Sequence, residues 1–372
     1  MGISKIDRYL FWEWLKVFLL TLGVVLGLLI LEDMYDDLPD LLDYGAGPSD
    51  IGLYYLVLLP SFLPLVLPIS LLVSLLFSLG SLHKNNEIVA LRAAGLSLWR
   101  ISRGLWFAGL LLTALLFALN SRWVPWSVET SRELLDGLRF TSQEAGGVDF
   151  REIGQVPNLS FDNRRAGRLW FMNGFSERAF LGVGVTVYTR DRDGRERYRI
   201  AAREAVFEES EGYWRFLDGR EITYNAEGEP IRSVGFDEKK MLEYREHPEL
   251  MLALNKRPKD LSFFEIRGIL SSIQPEENPR VYAYLVQYYQ ILAAPFSCLV
   301  VMGLAIPFAV SGVRTNPLVG VSKSVGFFIL FYFMSNICIV LGERQLIPAE
   351  VAAWAPNGLM FFIGALLFHR AR

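Results

Sequence analysis

The chain has 372 residues, 52% of them hydrophobic, and a formal net charge of −3. Its two cysteines, Cys298 and Cys338, fall in apolar segments, which excludes a disulfide framework and argues against a cysteine metal site. The near-neutral charge is an average over two kinds of segment, because 23 of the 37 lysines and arginines and 25 of the 40 acidic residues lie between residues 122 and 260. This is not the composition of an ordinary globular protein.

Two apolar blocks, at about residues 10–120 and 284–368, flank the charged stretch. A bilayer span requires about 20 mostly apolar residues in a row, and each block contains three such segments. The predicted spans run from Trp14 to Leu31, Ile51 to Leu82, Ile101 to Leu119, Tyr284 to Val310, Leu318 to Leu341 and Val351 to Phe368. We therefore predict an integral membrane protein with six transmembrane α-helices in a three-plus-three arrangement.

Basic residues in the short segments predict the orientation of the spans, because lysine and arginine near a span resist translocation. They lie before span one, between spans two and three or at the start of span three, between spans four and five or at the start of span five, and at the C-terminus: Lys5, Arg8, Lys84, Arg92, Arg100, Arg103, Arg314, Lys323, Arg370 and Arg372. The segment after span one is instead acidic, with Glu32, Asp33, Asp36 and Asp37. We expect both termini and the basic loops in the cytoplasm and the charged domain outside.

Span two contains three prolines, Pro60, Pro64 and Pro68, spaced four residues apart. Each proline removes a backbone donor and crowds the preceding turn, so this helix is expected to be bent or locally unwound. A moving part and a static kink are equally compatible with the pattern.

The loop between spans two and three predicts a short amphipathic helix at about residues 84–95. Asn85 or Asn86 is expected to cap it, with Glu87 in its first turn, and Gly95 is expected to end it. Ile88 and Leu91 share one face. The tendency of basic residues to stay on the cytoplasmic side explains the arginines of this loop. It does not explain a helix that exposes a glutamate at its start.

From Arg168 onward, short runs rich in β-branched and aromatic residues alternate with turn signals such as Asp218-Gly219. This pattern predicts an antiparallel meander, sandwich or jelly roll. Trp214 and Phe216 share one face of a predicted strand, where they either line a lipid groove or belong to an ordinary core. Both interpretations stay open.

Helical segments flank the predicted β region on both sides. The run from Trp126 to Arg139 has helical spacing and is expected to extend span three, and a short helix after Asp260 is expected to end near Pro275. We assign residues 1–126 to the first three spans, 127–262 to the β domain with its helical connectors, and 263–372 to the remaining connector and last three spans.

Motifs for catalysis are absent from the sequence. His83, His247 and His369 are scattered, and no G-x-x-x-x-G-K-[ST] phosphate loop occurs, so the chain cannot hydrolyse ATP by that route. We expect no enzyme activity, no bound cofactor or metal, and no nucleic-acid partner.

Several short motifs in this order resemble one known family. They are Glu87-Ile88 with Ala90, Leu91, Ala94 and Gly95, preceded by Asp7-Arg8-Tyr9 and followed by Asn120, Trp123, Pro125 and Trp126. Together with the three-plus-three layout, they make the chain similar to the lipopolysaccharide-export permeases of the LptF/LptG type. The start Asp7-Arg8-Tyr9 and the loop lengths favour an LptG-like over an LptF-like assignment.

This resemblance implies a permease of an ATP-binding-cassette exporter in the bacterial inner membrane, with a periplasmic jelly-roll-like domain. The implied partners are a paralogous permease, a cytoplasmic ATPase dimer that binds ATP and magnesium, a membrane-anchored LptC-like jelly-roll protein, and lipopolysaccharide. Spans one and five would form lateral gates for the lipid. A mechanotransmitting membrane protein, which typically has four spans, and a non-transporting scaffold are the alternatives.

The resemblance also implies roles for particular residues. The helix at residues 84–95 would couple to the ATPase, through Glu87, Ile88, Leu91, Arg92 and Gly95. The candidates for lipid contact are Asp33, Asp36, Arg122, Arg132, Trp214 and Phe216. The acidic residues after span one depart from the family, because its LptG-type members carry lysines there, which suit a phosphorylated lipid.

Overall fold

A computed structural model describes residues 5–147, 149, 153–191, 193–225, 227–272, 280–310 and 317–370. The chain divides into two compact units. One, the helical unit, contains Met1–Pro39, Ile51–Ser131 and Val286–Arg372, and the other, the sheet unit, contains Asp40–Asp50 and Arg132–Leu285. The basic residues Arg314 and Arg372 and the predicted helix end at Pro275 lie outside the described residues.

The helices before the sheet account for the first three predicted spans. They are α1 (Lys5–Asp43), α2 (Pro48–Lys84), α3 (Glu87–Ala93), α4 (Leu98–Ala118) and α5 (Val124–Ala145), with a π-helical turn at Leu119–Trp123 between the last two. The predicted helical extension of span three is confirmed by α5. The acidic residues after span one belong to α1 itself, and this helix of 39 residues is about 58 Å long at 1.5 Å per residue.

The helix α2 remains helical across Pro60, Pro64 and Pro68, so the local unwinding considered for span two does not occur. Proline leaves a carbonyl of the preceding turn without its helical donor. Pro60 leaves the carbonyl of Leu56 in this state, and the neighbouring carbonyl of Val57 accepts a hydrogen bond of 2.6 Å from the buried Ser127 hydroxyl of α5.

The last three spans come after the sheet and its connectors. The fourth consists of α8 (Val281–Ala293), a 3₁₀ turn at Ala294–Phe296 and α9 (Ser297–Val310), the fifth is α10 (Pro317–Glu343), and the sixth is α11 (Ala349–Arg370). In total, the described residues contain six helices long and apolar enough to cross a membrane, as predicted. The break at Ala294–Phe296 was not predicted, although Pro295 lies at its centre.

The sheet unit is built on six antiparallel strands. They are β1 (Gln155–Asn163), β2 (Arg168–Ser176), β3 (Leu181–Arg190), β4 (Glu196–Glu208), β5 (Tyr213–Tyr224) and β6 (Pro230–Met241). Each described strand pairs with the next in chain order, which is the meander among the three predicted alternatives and not the crossover connection of a jelly roll. Helices α6 (Pro248–Ala253) and α7 (Phe263–Ser272) come next.

The predicted turn at Asp218-Gly219 is wrong, because both residues lie inside β5. Asp218 has the left-handed conformation of a turn residue (φ 51°), but Leu217 and Gly219 on either side still pair with β4 and β6. Asn158 of β1 and Gly184 of β3 lie at the equivalent position across the sheet and are also left-handed. The regular pairing of neighbouring strands is interrupted at this position in every strand pair. A crease therefore runs across the sheet. In β4, the buried side chains change there from even-numbered positions, ending at Ala202, to odd-numbered positions, beginning at Ala205.

Candidate functional site

The helix α3 begins with an unusual backbone conformation. Asn86, immediately before it, is left-handed (φ 63°) and its side chain makes no capping hydrogen bond. Asn86 therefore occupies the N-cap position as predicted, but its side chain does not cap the helix. Asparagine tolerates the left-handed region better than most residues, and the Asn86 N–H donates to the carbonyl of His83 at 3.0 Å, which ends α2.

The end of α3 agrees with the prediction. Gly95 is left-handed (φ 85°), and its N–H donates to the carbonyl of Arg92 at 3.0 Å. The next N–H, of Leu96, donates to the carbonyl of Leu91 at 3.2 Å. These two bonds form a Schellman motif, for which a left-handed glycine is the preferred residue. The turns before and after it fix α3 between α2 and α4.

The two sides of α3 have different surroundings. Ile88 has no exposed surface, and Leu91 is half-buried against the same apolar core of the helical unit. Arg92 and Gly95 are exposed, and Glu87 is half-exposed. Of the five residues predicted to couple to an ATPase, Ile88 and Leu91 thus anchor α3 within the chain, whereas Glu87, Arg92 and Gly95 reach its surface.

The first turns of α1 contact both α3 and α4. The Tyr9 hydroxyl donates a hydrogen bond of 3.1 Å to the Glu87 carboxylate. Asp7, whose side chain is 8% exposed, forms an ion pair with Arg103, and the Arg103 Nε lies 3.1 Å from both Asp7 oxygens. A mostly apolar groove of about 340 Å³ lies here, lined by Ile6, Tyr9, Leu10, Glu87, Ile88, Ala90 and Leu91. Asp7 and Tyr9 carried part of the family resemblance, but no sequence pattern indicated these contacts.

The acidic residues near the end of α1 differ in their surroundings. Asp36 is exposed and Asp33 is half-buried. The neighbouring Asp37 accepts a hydrogen bond of 2.7 Å from the buried Tyr54 hydroxyl of α2. Among the described residues, no group of three or more histidine, cysteine or acidic side chains is arranged to hold a metal ion.

The two arginines proposed for lipid contact have different surroundings. Arg122 lies exposed in the π-helical turn, next to Trp123, which is also exposed. Arg132 is half-buried and forms an ion pair of 3.1 Å with Glu265. Glu265 also accepts from the Ser262 N–H at 2.8 Å, as in a capping box at the start of α7. Arg132 therefore stabilises the sheet unit, whereas Arg122 is placed on the surface.

Trp214 and Phe216 lie in the interior of the sheet unit and have no exposed surface. Trp170 is their common neighbour, with ring centroids 5.0 Å from Trp214 and 5.9 Å from Phe216. The Trp214 indole donates to the carbonyl of Glu246 at 2.8 Å. Of the two interpretations left open, the structure shows a packed core in which these side chains fill the space themselves.

A buried ion pair closes this aromatic core. The Arg168 Nε lies 2.5 Å from the Glu246 carboxylate, which is also bonded by the Asn163 amide at 2.9 Å. The Arg168 guanidinium stacks over the Tyr244 ring at 4.7 Å. Burial raises the pKa of the Tyr244 hydroxyl above its ordinary value of 10.0, so this group is neutral at physiological pH.

Two buried asparagines stabilise the break in the fourth span. Pro295 has no N–H, so the carbonyl of Ile291, four residues earlier, lacks its helical donor. The Asn120 amide of the π-helical turn donates to that carbonyl at 3.3 Å, and the Asn357 amide of α11 donates to the carbonyl of Ala293 at 3.0 Å. Irregular backbone at membrane depth requires such partners. The signal available in the sequence was a proline in one apolar helix and an asparagine in another.

These features define the class of protein. Six membrane-length helices with an antiparallel sheet inserted between the third and fourth make the chain a multi-pass membrane protein with an inserted β domain. The sequence profile of the lipopolysaccharide export system permease LptF/LptG family matches residues 8–370. The chain belongs to this family and is a permease for lipopolysaccharide export. None of the curated proteins compared with the chain matches it.

Proposed function

We propose that this permease extracts lipopolysaccharide from the bacterial inner membrane and that ATP hydrolysis in a partner drives the extraction. The observation that carries the proposal is α3, a short helix fixed by a turn at each end, anchored by Ile88, and presenting Glu87 and Arg92. The basic residues of the short loops support a cytoplasmic position for this helix and for both termini. A carboxylate there is suited to an arginine of a cytoplasmic ATPase dimer.

The energetics of lipid extraction support a separate source of energy. Withdrawing an acyl chain from a bilayer costs about 0.8 kcal/mol per methylene, so a lipid with several chains requires far more than thermal energy. The sequence contains no phosphate loop. We assign ATP and magnesium to the ATPase, and to this chain the non-enzymatic part of the transport cycle.

The sheet unit is proposed to receive the lipid and pass it to a neighbouring β domain, such as that of an LptC-like protein. Its interior is apolar and aromatic, so it is chemically suited to acyl chains once it opens. Strand β6 forms one edge of the described sheet and is mostly exposed over 12 residues. An open edge of this length can accept a further strand from a partner. The other edge strand, β1, carries Pro157 and the left-handed Asn158, which interrupt pairing.

A paralogous permease is proposed to complete the transport path. The LptG-like assignment stays a prediction. Copurification with candidate paralogues tests the proposed heterodimer, since a stable and active homodimer with the ATPase would contradict it. The mechanotransmitting alternative is disfavoured by the six membrane-length helices. The Glu87→Ala variant distinguishes the proposed permease from a non-transporting scaffold.

Glu87→Ala tests the proposed coupling in a complex with the paralogue and the ATPase in proteoliposomes. Loss of one partner of a charge pair at an interface costs about 3 to 5 kcal/mol, so we expect the ATPase to dissociate and lipopolysaccharide release to stop. Glu13→Gln is the control, because Glu13 pairs with Lys16 on the same helix at 2.6 Å. Normal ATPase retention and lipid release in Glu87→Ala would favour the scaffold.

A further inference from the structure

The helix α1 is attached to the helical unit mainly through its first turns. Leu10, Trp14 and Phe18 are buried, and the Trp14 indole donates to the Ser74 hydroxyl of α2 at 3.1 Å. From Leu19 to Asp40 no residue is buried. The contrast with the fourth span is large, since 11% of the apolar segment of α1 is buried, against 67% of that in the fourth span.

The attached end of α1 is the end that contacts α3 and α4. Asp7 is buried in an ion pair with Arg103 near the start of α4, and both Asp7 oxygens accept from the Arg103 Nε at 3.1 Å. Tyr9 donates to Glu87 at the start of α3 at 3.1 Å. Gly104 lies close to the α1 backbone, because a Cβ there would be 3.8 Å from the Asp7 carbonyl oxygen. One turn of α1 is thus bonded to both α3 and α4.

We propose that Asp7 and Tyr9 form a clamp that transmits movement of α3 to α1, with Tyr9 as a positioning residue that acts through Glu87. This inference rests on the proposed function, because it takes α3 as the element that the ATPase moves. The Asp7–Arg103 pair is the fixed point of the clamp, and the Tyr9–Glu87 hydrogen bond is the contact that transmits the displacement.

The geometry of α1 makes such a clamp effective. A helix of 39 residues that is tilted by about 5° at one end moves by about 5 Å at the other, given a rise of 1.5 Å per residue. No residue of α1 between Phe18 and Leu41 is buried, so little side-chain packing resists this movement. Two hydrogen bonds link this part to α2, from Thr21 to the Ser70 carbonyl at 3.4 Å and from Tyr54 to Asp37 at 2.7 Å. A change of one hydrogen bond on the cytoplasmic side can therefore alter the position of the first span through the whole bilayer.

Tyr9→Phe removes the transmitting hydrogen bond and keeps the aromatic ring. In proteoliposomes with the paralogue and the ATPase, we expect ATPase retention within about twofold of wild type but about fivefold less lipopolysaccharide released per ATP, the scale expected for losing a partly exposed hydrogen bond to a charged acceptor. Tyr35→Phe is the matched control, because Tyr35 is on the same helix and is 84% exposed. An unchanged ratio in Tyr9→Phe, or ATPase loss equal to that of Glu87→Ala, would overturn the clamp.

A distance measurement tests the clamp without relying on transport. Spin labels at Trp12→Cys and Ala93→Cys, with Cys298→Ala and Cys338→Ala, report the separation of α1 and α3 in the full complex. We expect one narrow distance distribution with Tyr9 and a broad one with Tyr9→Phe, and equal distributions would overturn the proposal. A wild-type complex that releases no lipopolysaccharide would instead contradict the proposed function, with the clamp still decided by the measured distances.

Discussion

At the residue scale, the two buried carboxylates of the described residues, those of Asp7 and Glu246, each have an arginine as partner. In the sheet unit, Glu246 is 6% exposed and is bonded by Arg168 and Asn163. Its backbone carbonyl also accepts from Trp214. The segment around Glu246 therefore closes the aromatic core both through its side chain and through its backbone.

Arg168→Ala is expected to destabilise the sheet unit by about 3 to 5 kcal/mol, because it leaves the buried Glu246 carboxylate without its cation. The measurement is the midpoint of heat-induced unfolding of the full chain in detergent, monitored by tryptophan fluorescence. Arg203→Ala serves as the control, since Arg203 is 72% exposed and its pair with Asp218 at 3.7 Å is expected to contribute less than about 1 kcal/mol. Equal effects of the two substitutions would contradict this assignment.

At the element scale, the helical unit accommodates irregular backbone by bonding it to side chains of neighbouring helices. The Asn120 amide of the π-helical turn bonds the carbonyl of Ile291 in the last turn of α8, and the Asn357 amide bonds the carbonyl of Ala293. Close packing accompanies these bonds, because a Cβ on Gly364 of α11 would lie 3.1 Å from the backbone of Gly303 in α9. The break in the fourth span is therefore a fixed part of the helix packing.

Asn120→Leu is expected to destabilise the helical unit by about 1 kcal/mol, the scale of an interhelical hydrogen bond in a membrane. Pro295→Ala supplies the N–H that the Ile291 carbonyl lacks, so in that background Asn120→Leu should cost clearly less. Heat-induced unfolding of the single and double variants measures this coupling. Asn336→Leu is the control, since Asn336 is exposed and bonds the Tyr332 carbonyl of its own helix at 2.8 Å. Additive costs would contradict the assigned role.

Sequence patterns predicted elements well where one periodicity dominates. Runs of apolar residues predicted all six spans, and alternating strands with turn residues predicted the antiparallel sheet from β2 onward, whereas β1 lies before the predicted region. The failures have a common physical cause. Asn86 and Asp218 adopt left-handed conformations, which such residues use for caps and turns, but contacts with neighbouring elements decide whether the chain turns or continues there. In the same way, local sequence does not show that Asn120 reaches the carbonyl freed by Pro295.

The part of the candidate site that depends on local sequence was predictable, and the part that depends on contacts between distant residues was not. The position of α3 and its end at Gly95 are encoded by local signals, and Glu87 lies in its first turn as expected. The contacts of Glu87 with Tyr9 and of Asp7 with Arg103 join residues 78 and 96 positions apart, so no local pattern encodes them. Trp214 and Phe216 were placed on one strand face correctly, but only the packing of Trp170 against them shows a filled interior.

At the scale of the whole molecule, the uneven composition corresponds to a division of labour. The apolar blocks form the helical unit and the charged stretch contributes most of the sheet unit. The near-neutral net charge does not show this division, because it averages the two kinds of segment. The family to which the chain belongs functions in lipopolysaccharide export. The central claim is that lipid leaves the membrane through this chain and enters the sheet interior when the ATPase turns over.

Photocrosslinking from the sheet interior tests that claim most directly. A benzoyl-phenylalanine at position 216 replaces a fully buried Phe216, and the same residue at position 171 replaces Phe171, which is 44% exposed. Both variants are assembled with the paralogue and the ATPase in proteoliposomes that contain lipopolysaccharide, after their unfolding midpoints are matched to wild type. We expect a lipopolysaccharide adduct at position 216 that requires ATP, and little or none at position 171. The absence of an adduct at position 216 during ATP turnover would contradict the central claim.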